Sequence, residues 1–174
     1  MKTIYLLRHA KSSWKDATLD DFDRPLNKRG RRAAARMGKY LVANGIEPAQ
    51  ILCSSAERTR ETLGYLQKAI GTSIPTRFEK GIYEAEASDL LSRLRGLSEV
   101  LPSVMVIGHN PGMERLALML VADGGAGATH MADKFPTGAV AVLSADIDAW
   151  EQLAPEMARL DSFVRPRDLD AGKD

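Results

Sequence analysis

Two histidines and two arginines carry the chemistry this chain can do. Arg8 and His9 close a short apolar run at the amino terminus, Arg58 follows a second such run, and His109 closes another. Arginine forks meet phosphate oxygens in pairs and keep their charge at any working pH. A neutral imidazole nitrogen attacks phosphorus well, provided a hydrogen bond to the other ring nitrogen fixes the tautomer. The set therefore suits phosphoryl transfer, with His9 as nucleophile and His109 as a donor that neutralises charge on the transferring group. Such chemistry rests on positioning and electrostatics. Taken singly, each residue has an ordinary reading: a solvated arginine, a strand-end histidine, a helix-surface arginine. Arg60 is a rival to Arg58 on a different face of the same helix. A metal held by His9, His109 and an aspartate fits no short ligand motif, and two nearby arginines would repel a cation.

The elements that must position these residues follow from the hydrophobic pattern. Residues 3–8 form a β-rich apolar run of the kind buried on both faces of a sheet. A polar stretch over residues 10–27 reads as a long surface loop, of a length often tied to function. Helical spacing over 28–44 ends at Asn44-Gly45. Residues 50–54 form a second strand, and Ser54 to Glu57 matches a capping box that opens a helix running to Ile70, with Gly71 ending it. Residues 74–78 suggest a third strand, and Leu90, Leu91, Leu94 and Leu97 mark an amphipathic helix. Residues 104–107 are the clearest buried strand. Asn110 then offers an N-cap and Pro111 a first helical position for a helix to about Ala122. The Gly- and Ala-rich segment 123–133 reads as a mobile loop, 138–143 as a last core strand, and 146–164 as ambiguous between helix and strand. Strands alternating with helices imply a three-layer αβα sandwich with a mainly parallel central sheet. In such sheets ligands bind beyond the carboxyl ends of the strands, where His9, Arg58 and His109 all fall. The helix near Pro111 would aim free amides at the same edge.

A length of 174 residues suits one domain with a full core, placed at 1–165, followed by a charged and frayed tail at 166–174. The formal net charge of +1 gives no global field towards nucleic acid or a membrane, so any anion site must be local. Cys53 is the only cysteine, which excludes an internal disulfide and fits a reducing compartment. The first residues do not read as a secretory signal, and no apolar stretch has transmembrane length. These features lead to the expectation of a cytoplasmic protein.

Three motifs resemble those of the histidine phosphatase superfamily. Leu7-Arg8-His9-Ala10-Lys11-Ser12 is similar to its N-terminal Arg-His motif, with Ala10 where many members have glycine. Residues 53–62, CSSAERTRET, resemble the second block, in which the first arginine binds phosphate, and 106–112, VIGHNPG, the block with the second catalytic histidine. Arg24-Pro25-Leu26 and Gly30 match a pattern ahead of the first helix, and the likeness spans about residues 3–144. The resemblance implies a phosphoglycerate mutase-like fold and a phosphohistidine intermediate on His9. It implies a phosphate pocket of Arg8, Arg58 and His109, and no metal or organic cofactor.

The short chain and the two histidine motifs look like the SixA-type branch, whose members resemble phosphatases of protein phosphohistidine. The chain is too short for an inserted cap, and an open site could admit a protein side chain. Ester hydrolysis benefits from a general acid, because an alkoxide leaves poorly. Glu84 is the candidate, against the reading of a solvated loop carboxylate. A protonated imidazole leaves readily, so a missing acid favours phosphohistidine. Lys11 and Ser12 could touch phosphate or could be a solvated lysine and a turn hydroxyl. Trp14 could line the mouth of the site or pack the loop, and Asp23 is expected to tie the loop to Arg24 or Arg29. His130 is given no role. The expected partner is a phosphorylated protein or a small phosphoester. The alternatives to a phosphohistidine phosphatase are a small-molecule phosphomonoesterase using Glu84 and a phosphate-binding module without turnover.

Overall fold

The computed structural model describes residues 1–122 and 126–170, in which one six-stranded sheet lies between two layers of helices. The strands are β1 (Lys2–Arg8), β2 (Gln50–Ser54), β3 (Thr76–Glu79), β4 (Ser103–Gly108), β5 (Val140–Ala145) and β6 (Ala158–Val164). The helices are α1 (Lys28–Ala43), α2 (Glu57–Ile70), α3 (Ala87–Arg95), α4 (Gly112–Leu120) and α5 (Ala126–Asp133). Strand order is β3-β2-β4-β1-β5-β6. The first four run parallel, and β5 is antiparallel to both β1 and β6.

Alternation along the strands divides the core in two. Ile4, Leu6, Leu52, Val104 and Val106 pack with α3, α4 and the buried Trp150 on one face. Leu7, Ile51, Cys53, Met105 and Ile107 pack with α1 and α2 on the other. β4 is central, and Val104 to Gly108 are buried throughout. Replacing Ile107 by alanine would cost about 2–5 kcal/mol through lost burial and the cavity left behind. That rigid centre matters to the site, because Gly108 pairs with Arg8 across β1 and β4 and so sets His9 and His109 side by side.

One glycine is demanded by close approach. A Cβ on Gly30 would lie 2.0 Å from the Lys11 carbonyl oxygen, so α1 can rest on the loop after His9 only with glycine there. Asn27 completes the join by accepting a hydrogen bond at 2.8 Å from the Gly30 amide.

Several local expectations are corrected. The capping box at Ser54–Glu57 does not form; Ala56 is the N-cap, and the Ser54 hydroxyl is turned to His109 instead. The N-cap position of α4 falls at Pro111, one residue later than expected, yet the Asn110 side chain still caps the helix, its Oδ1 accepting from the Glu114 amide at 3.3 Å while its Nδ2 donates to the Phe135 carbonyl. β3 begins two residues later than the apolar run suggests, at Thr76. Residues 126–133 are the helix α5, with Ala128 and Met131 buried, because alanine favours helix and two apolar side chains find the core. The rest of the expected loop, 123–125, lies outside the described residues. Segment 146–164 resolves into a short 3-10 turn at Trp150–Gln152 and the strand β6. Pro166–Leu169 is a 3-10 turn that packs Leu169 against the α1/α2 core, and Arg36 pairs with Asp170, so this part of the expected tail is not frayed. Residues 171–174 lie outside the described residues. No described helix is long and apolar enough to cross a membrane.

Candidate active site

β1 delivers His9 to the carboxyl edge of the sheet, and the backbone on both sides is pinned. The His9 amide donates to the Gly108 carbonyl at 3.1 Å, and the Gly138 amide reaches the Arg8 and His9 carbonyls at 3.0 and 2.9 Å. Gly138 makes this turn at φ +78°, a left-handed conformation that favours glycine. The next residue is held by α2, since the Ala10 amide donates to Thr62 Oγ1 at 3.0 Å.

The His9 ring is only 7% exposed, and its Nδ1 lies 2.7 Å from the Ala10 carbonyl oxygen. A carbonyl can only accept, so Nδ1 carries the proton and Nε2 keeps its lone pair. Burial pushes the His9 pKa down to about 3; the Ala10 carbonyl opposes the shift, while Arg58, Arg8 and Arg24 reinforce it. The imidazole is therefore neutral at any ordinary working pH.

β4 places the His109 ring with its centroid 5.2 Å from that of His9 and inclined by 50°. Its Nε2 lies 2.8 Å from Ser54 Oγ. The Ser54 oxygen also accepts from the Ala56 amide at 3.3 Å, and its hydrogen is assigned to the unprotonated Nε2 of His109. That assignment puts the His109 proton on Nδ1, which is buried without a partner among the described residues. Burial, then His9, Arg58 and Arg8, push the His109 pKa down to about 3 against the pull of Asp21.

Arg58 lies in the first turn of α2 and is 6% exposed. Its Nη1 donates to the Asp21 carbonyl at 2.6 Å and its Nη2 to the Asp21 carboxylate at 3.0 Å, while Nε has no partner among the described residues. Asp21 is a hub: the Tyr83 hydroxyl donates to its carboxylate at 2.6 Å and Arg24 Nε donates at 3.1 Å. The Tyr83 hydrogen bond first, with Arg58 and Arg24, pushes the Asp21 pKa down to about 2. Tyr83 packs edge-on to His109 with centroids 5.3 Å apart, and burial together with Asp21 pushes its pKa up to about 12. Arg8 spends Nη1 on the Phe135 carbonyl at 3.0 Å and leaves Nε unpartnered.

Among the described residues three buried donors of the site thus lack a protein acceptor: Arg8 Nε, Arg58 Nε and His109 Nδ1. A buried polar group left unmatched costs about 1–3 kcal/mol, so an arrangement that gathers such donors around a nucleophilic nitrogen suits an anion. Among the described residues no three His, Cys, Asp or Glu side chains gather to hold a metal.

The remaining candidates spread out. Lys11 is exposed, and its carbonyl rather than its ammonium does the local binding, by accepting from the Asn27 amide at 3.0 Å. Ser12 Oγ accepts from Arg24 Nη1 at 2.8 Å and so braces the loop. Glu84 is exposed at φ 58°, next to Tyr83. Trp14 is 76% exposed with the Arg24 guanidinium 3.5 Å over its ring, and it does not pack on the body. Asp21, not Asp23, ties the loop to Arg24. Arg60 lies over Phe78, 4.8 Å from its ring centre, and leaves the site to Arg58. His130 is exposed on α5. Sequence reasoning missed Asp21, Ser54 and Tyr83 as members of the site. Ser54 carried a signal, a hydroxyl at the carboxyl end of a fully buried strand. Asp21 carried none, in a loop that also holds Asp16, Asp20 and Asp23.

This chain belongs to the histidine phosphatase superfamily (branch 1), whose family model matches residues 4–96. The motif around His109 lies beyond that match, but full-length likenesses take it in. A solved structure from Agrobacterium tumefaciens assigned as the phosphohistidine phosphatase SixA is 32% identical, covers 95% of this chain and 98% of its own, and has a TM-score of 0.79. One from Nakamurella multipartitia, also assigned as SixA, is 32% identical, covers 95% and 96%, and has a TM-score of 0.80. An uncharacterised protein of Mycobacterium tuberculosis is 34% identical over 164 residues, which is 92% of this chain and all of that protein. The chain is a phosphatase of the SixA-like group, with the phosphoglycerate mutase-like fold.

Proposed function

We propose that this phosphatase removes the phosphoryl group from histidine side chains of proteins through a covalent intermediate on His9. The observation that carries the reading is the state of the His9 ring, with Nδ1–H fixed on the Ala10 carbonyl and Nε2 unprotonated beside the unmatched donors of Arg8, Arg58 and His109. In this mechanism those donors hold the non-bridging phosphoryl oxygens. His9 Nε2 attacks phosphorus as the bond to the substrate nitrogen breaks, and the departing imidazole, protonated from solvent on its other ring nitrogen, leaves as a neutral ring. The phosphorylated ring gains positive character, which the Ala10 carbonyl offsets through Nδ1–H. Water then attacks the phosphohistidine, releasing inorganic phosphate and restoring neutral His9. The cradle stays in place through both steps, so its stabilisation requires no reorganisation as charge develops.

Two features favour an imidazole leaving group over an alkoxide. Glu84, the only acid proposed for protonating an alkoxide, is exposed. The connection from β3 to α3 spans only residues 80–86, too few for a cap that would enclose a small ester. The SixA names of the structural relatives point the same way. Proteins labelled with phosphate on histidine should release inorganic phosphate on incubation with the enzyme, faster than small sugar or nucleotide phosphates do. Retention of the label, with brisk turnover of small esters that collapses in Glu84→Gln, would establish the phosphomonoesterase reading instead.

A further inference from the structure

A groove of about 1090 Å³ opens beside the phosphate cradle and shares Arg8 with it as a wall. Lys11, Lys28, Arg29, Arg32, Lys134 and Arg167 line it, and none of them pairs with a described carboxylate. Composition does not explain this, because the whole chain carries a net charge of only +1. The charges are local, and they stand against the stability of α1, the helix that bears half of them. Lys28 and Arg29 occupy the first turn of α1, which has no acidic residue. The helix dipole disfavours cations at that end. Lys28, Arg32 and Arg36 follow one another at four-residue spacing, where like charges repel. Asp170 relieves only Arg36. A stripe of unrelieved cations leading to a catalytic arginine is the layout expected of a surface that receives an anion.

The chemistry of the lining narrows the class of anion. No aromatic ring lines the groove, so bases of a single-stranded nucleic acid would find nothing to stack on. Apart from Arg8 the unpaired cations are exposed, long side chains rather than buried, fixed donors. Such an array attracts distributed charge and steers an approaching surface, and it gives little of the fixed geometry that selects one small ligand.

We infer that this groove docks an acidic segment of the same protein whose phosphohistidine enters the cradle. The inference rests on the phosphohistidine reading above and deepens it, by giving the enzyme a basis for choosing among phosphorylated proteins. Lys28, Arg32 and Arg167 bind the segment and take no part in the chemistry.

The test uses phosphohistidine peptides of equal length flanked by Asp and Glu, by neutral residues, or by Lys. The wild type should process the acidic peptide with kcat/KM about 10-fold or more above the neutral one at low salt. That preference should fade at about 0.5 M salt, where surface charges are screened. The triple variant Lys28→Glu/Arg32→Glu/Arg167→Glu should lose the preference through KM while hydrolysing free phosphoramidate within about twofold of wild type. The phosphoramidate rate also shows that the variant is folded. Equal rates on acidic and neutral peptides, or a preference that survives in the triple variant, would overturn the docking groove alone. No turnover of any phosphohistidine peptide, with p-nitrophenyl phosphate still hydrolysed, would overturn the phosphohistidine reading and the groove with it.

Discussion

In the cradle, Arg58 is buried and spends two of its nitrogens on Asp21, which is itself held by Tyr83 and Arg24. In the groove a short distance away, Lys28, Arg32 and Arg167 are exposed and make no ion pair with a described residue. Both regions are cationic, yet they prepare their charge in opposite ways. The cradle fixes its donors before substrate arrives, which is what lowers a barrier. The groove leaves its charge exposed and unpaired, which aids encounter and selection but gives no fixed donors for a transition state. Substitutions in the two regions should therefore differ in kind as well as in size.

His9→Ala has the largest expected effect. It should reduce turnover of every substrate by about 10⁴-fold or more, since the proposed route runs through a bond to its Nε2, while the circular dichroism spectrum stays native. Arg58→Ala should cost at least about 100-fold in kcat/KM, as does loss of other oxyanion donors. Normal kinetics in that variant would remove Arg58 from the cradle. Asp21→Ala should cost about 10-fold, because Arg58 then keeps its charge but loses the carboxylate that aims it. Asp21→Glu should recover part of the loss, a rescue that a merely structural aspartate would not show.

The two histidines predict a distinctive response to pH. A free imidazole with its ordinary value of 6.5 would be about 30-fold less available at pH 5 than well above that value. His9, neutral down to about pH 3, should instead keep kcat/KM for an acid-stable ester within about twofold between pH 7 and pH 5. Stability should behave differently. The unfolded chain takes up protons on histidine below 6.5, and the folded one refuses them until about 3. The native state therefore has its full contribution above 6.5 and loses it as pH falls towards 3, seen as a falling Tm. The smallest effect falls in the groove, where the triple charge reversal should leave turnover of small substrates almost untouched.

The contrast between the regions also governs what was legible in the sequence. Arg8, His9, Arg58 and His109 stand at the ends of apolar strands or in the turn that follows, and parallel strand geometry carries such positions to one edge. Their convergence could be read from pattern alone, as could β1, β2, β4 and the two helical layers. Asp21 could not, because its role depends on which of several loop acids the chain folds towards Arg58. Tyr83 was likewise chosen by tertiary contact, whereas Ser54 stood at a readable strand end and was assigned the wrong task. The supposed capping box shows the competition plainly: Ser54 has the right chemistry to cap α2, but the hydroxyl serves the His109 ring instead. Residues 126–133 failed for a simpler reason, since alanine and glycine together look like a loop until Met131 finds its place in the core. The basic run at 28–32 was visible in the sequence, but the groove was hidden because only the fold brings Lys11, Lys134 and Arg167 to it.

The proposed chemistry turns on one nitrogen, Nε2 of His9. The most direct measurement is to quench the enzyme in alkali during turnover of a ³²P-labelled phosphohistidine protein and map the label by peptide sequencing. The account predicts phosphate on His9, stable in base, lost in acid, and absent from His9→Ala. Acid-stable phosphate, or label on any other residue, would contradict it.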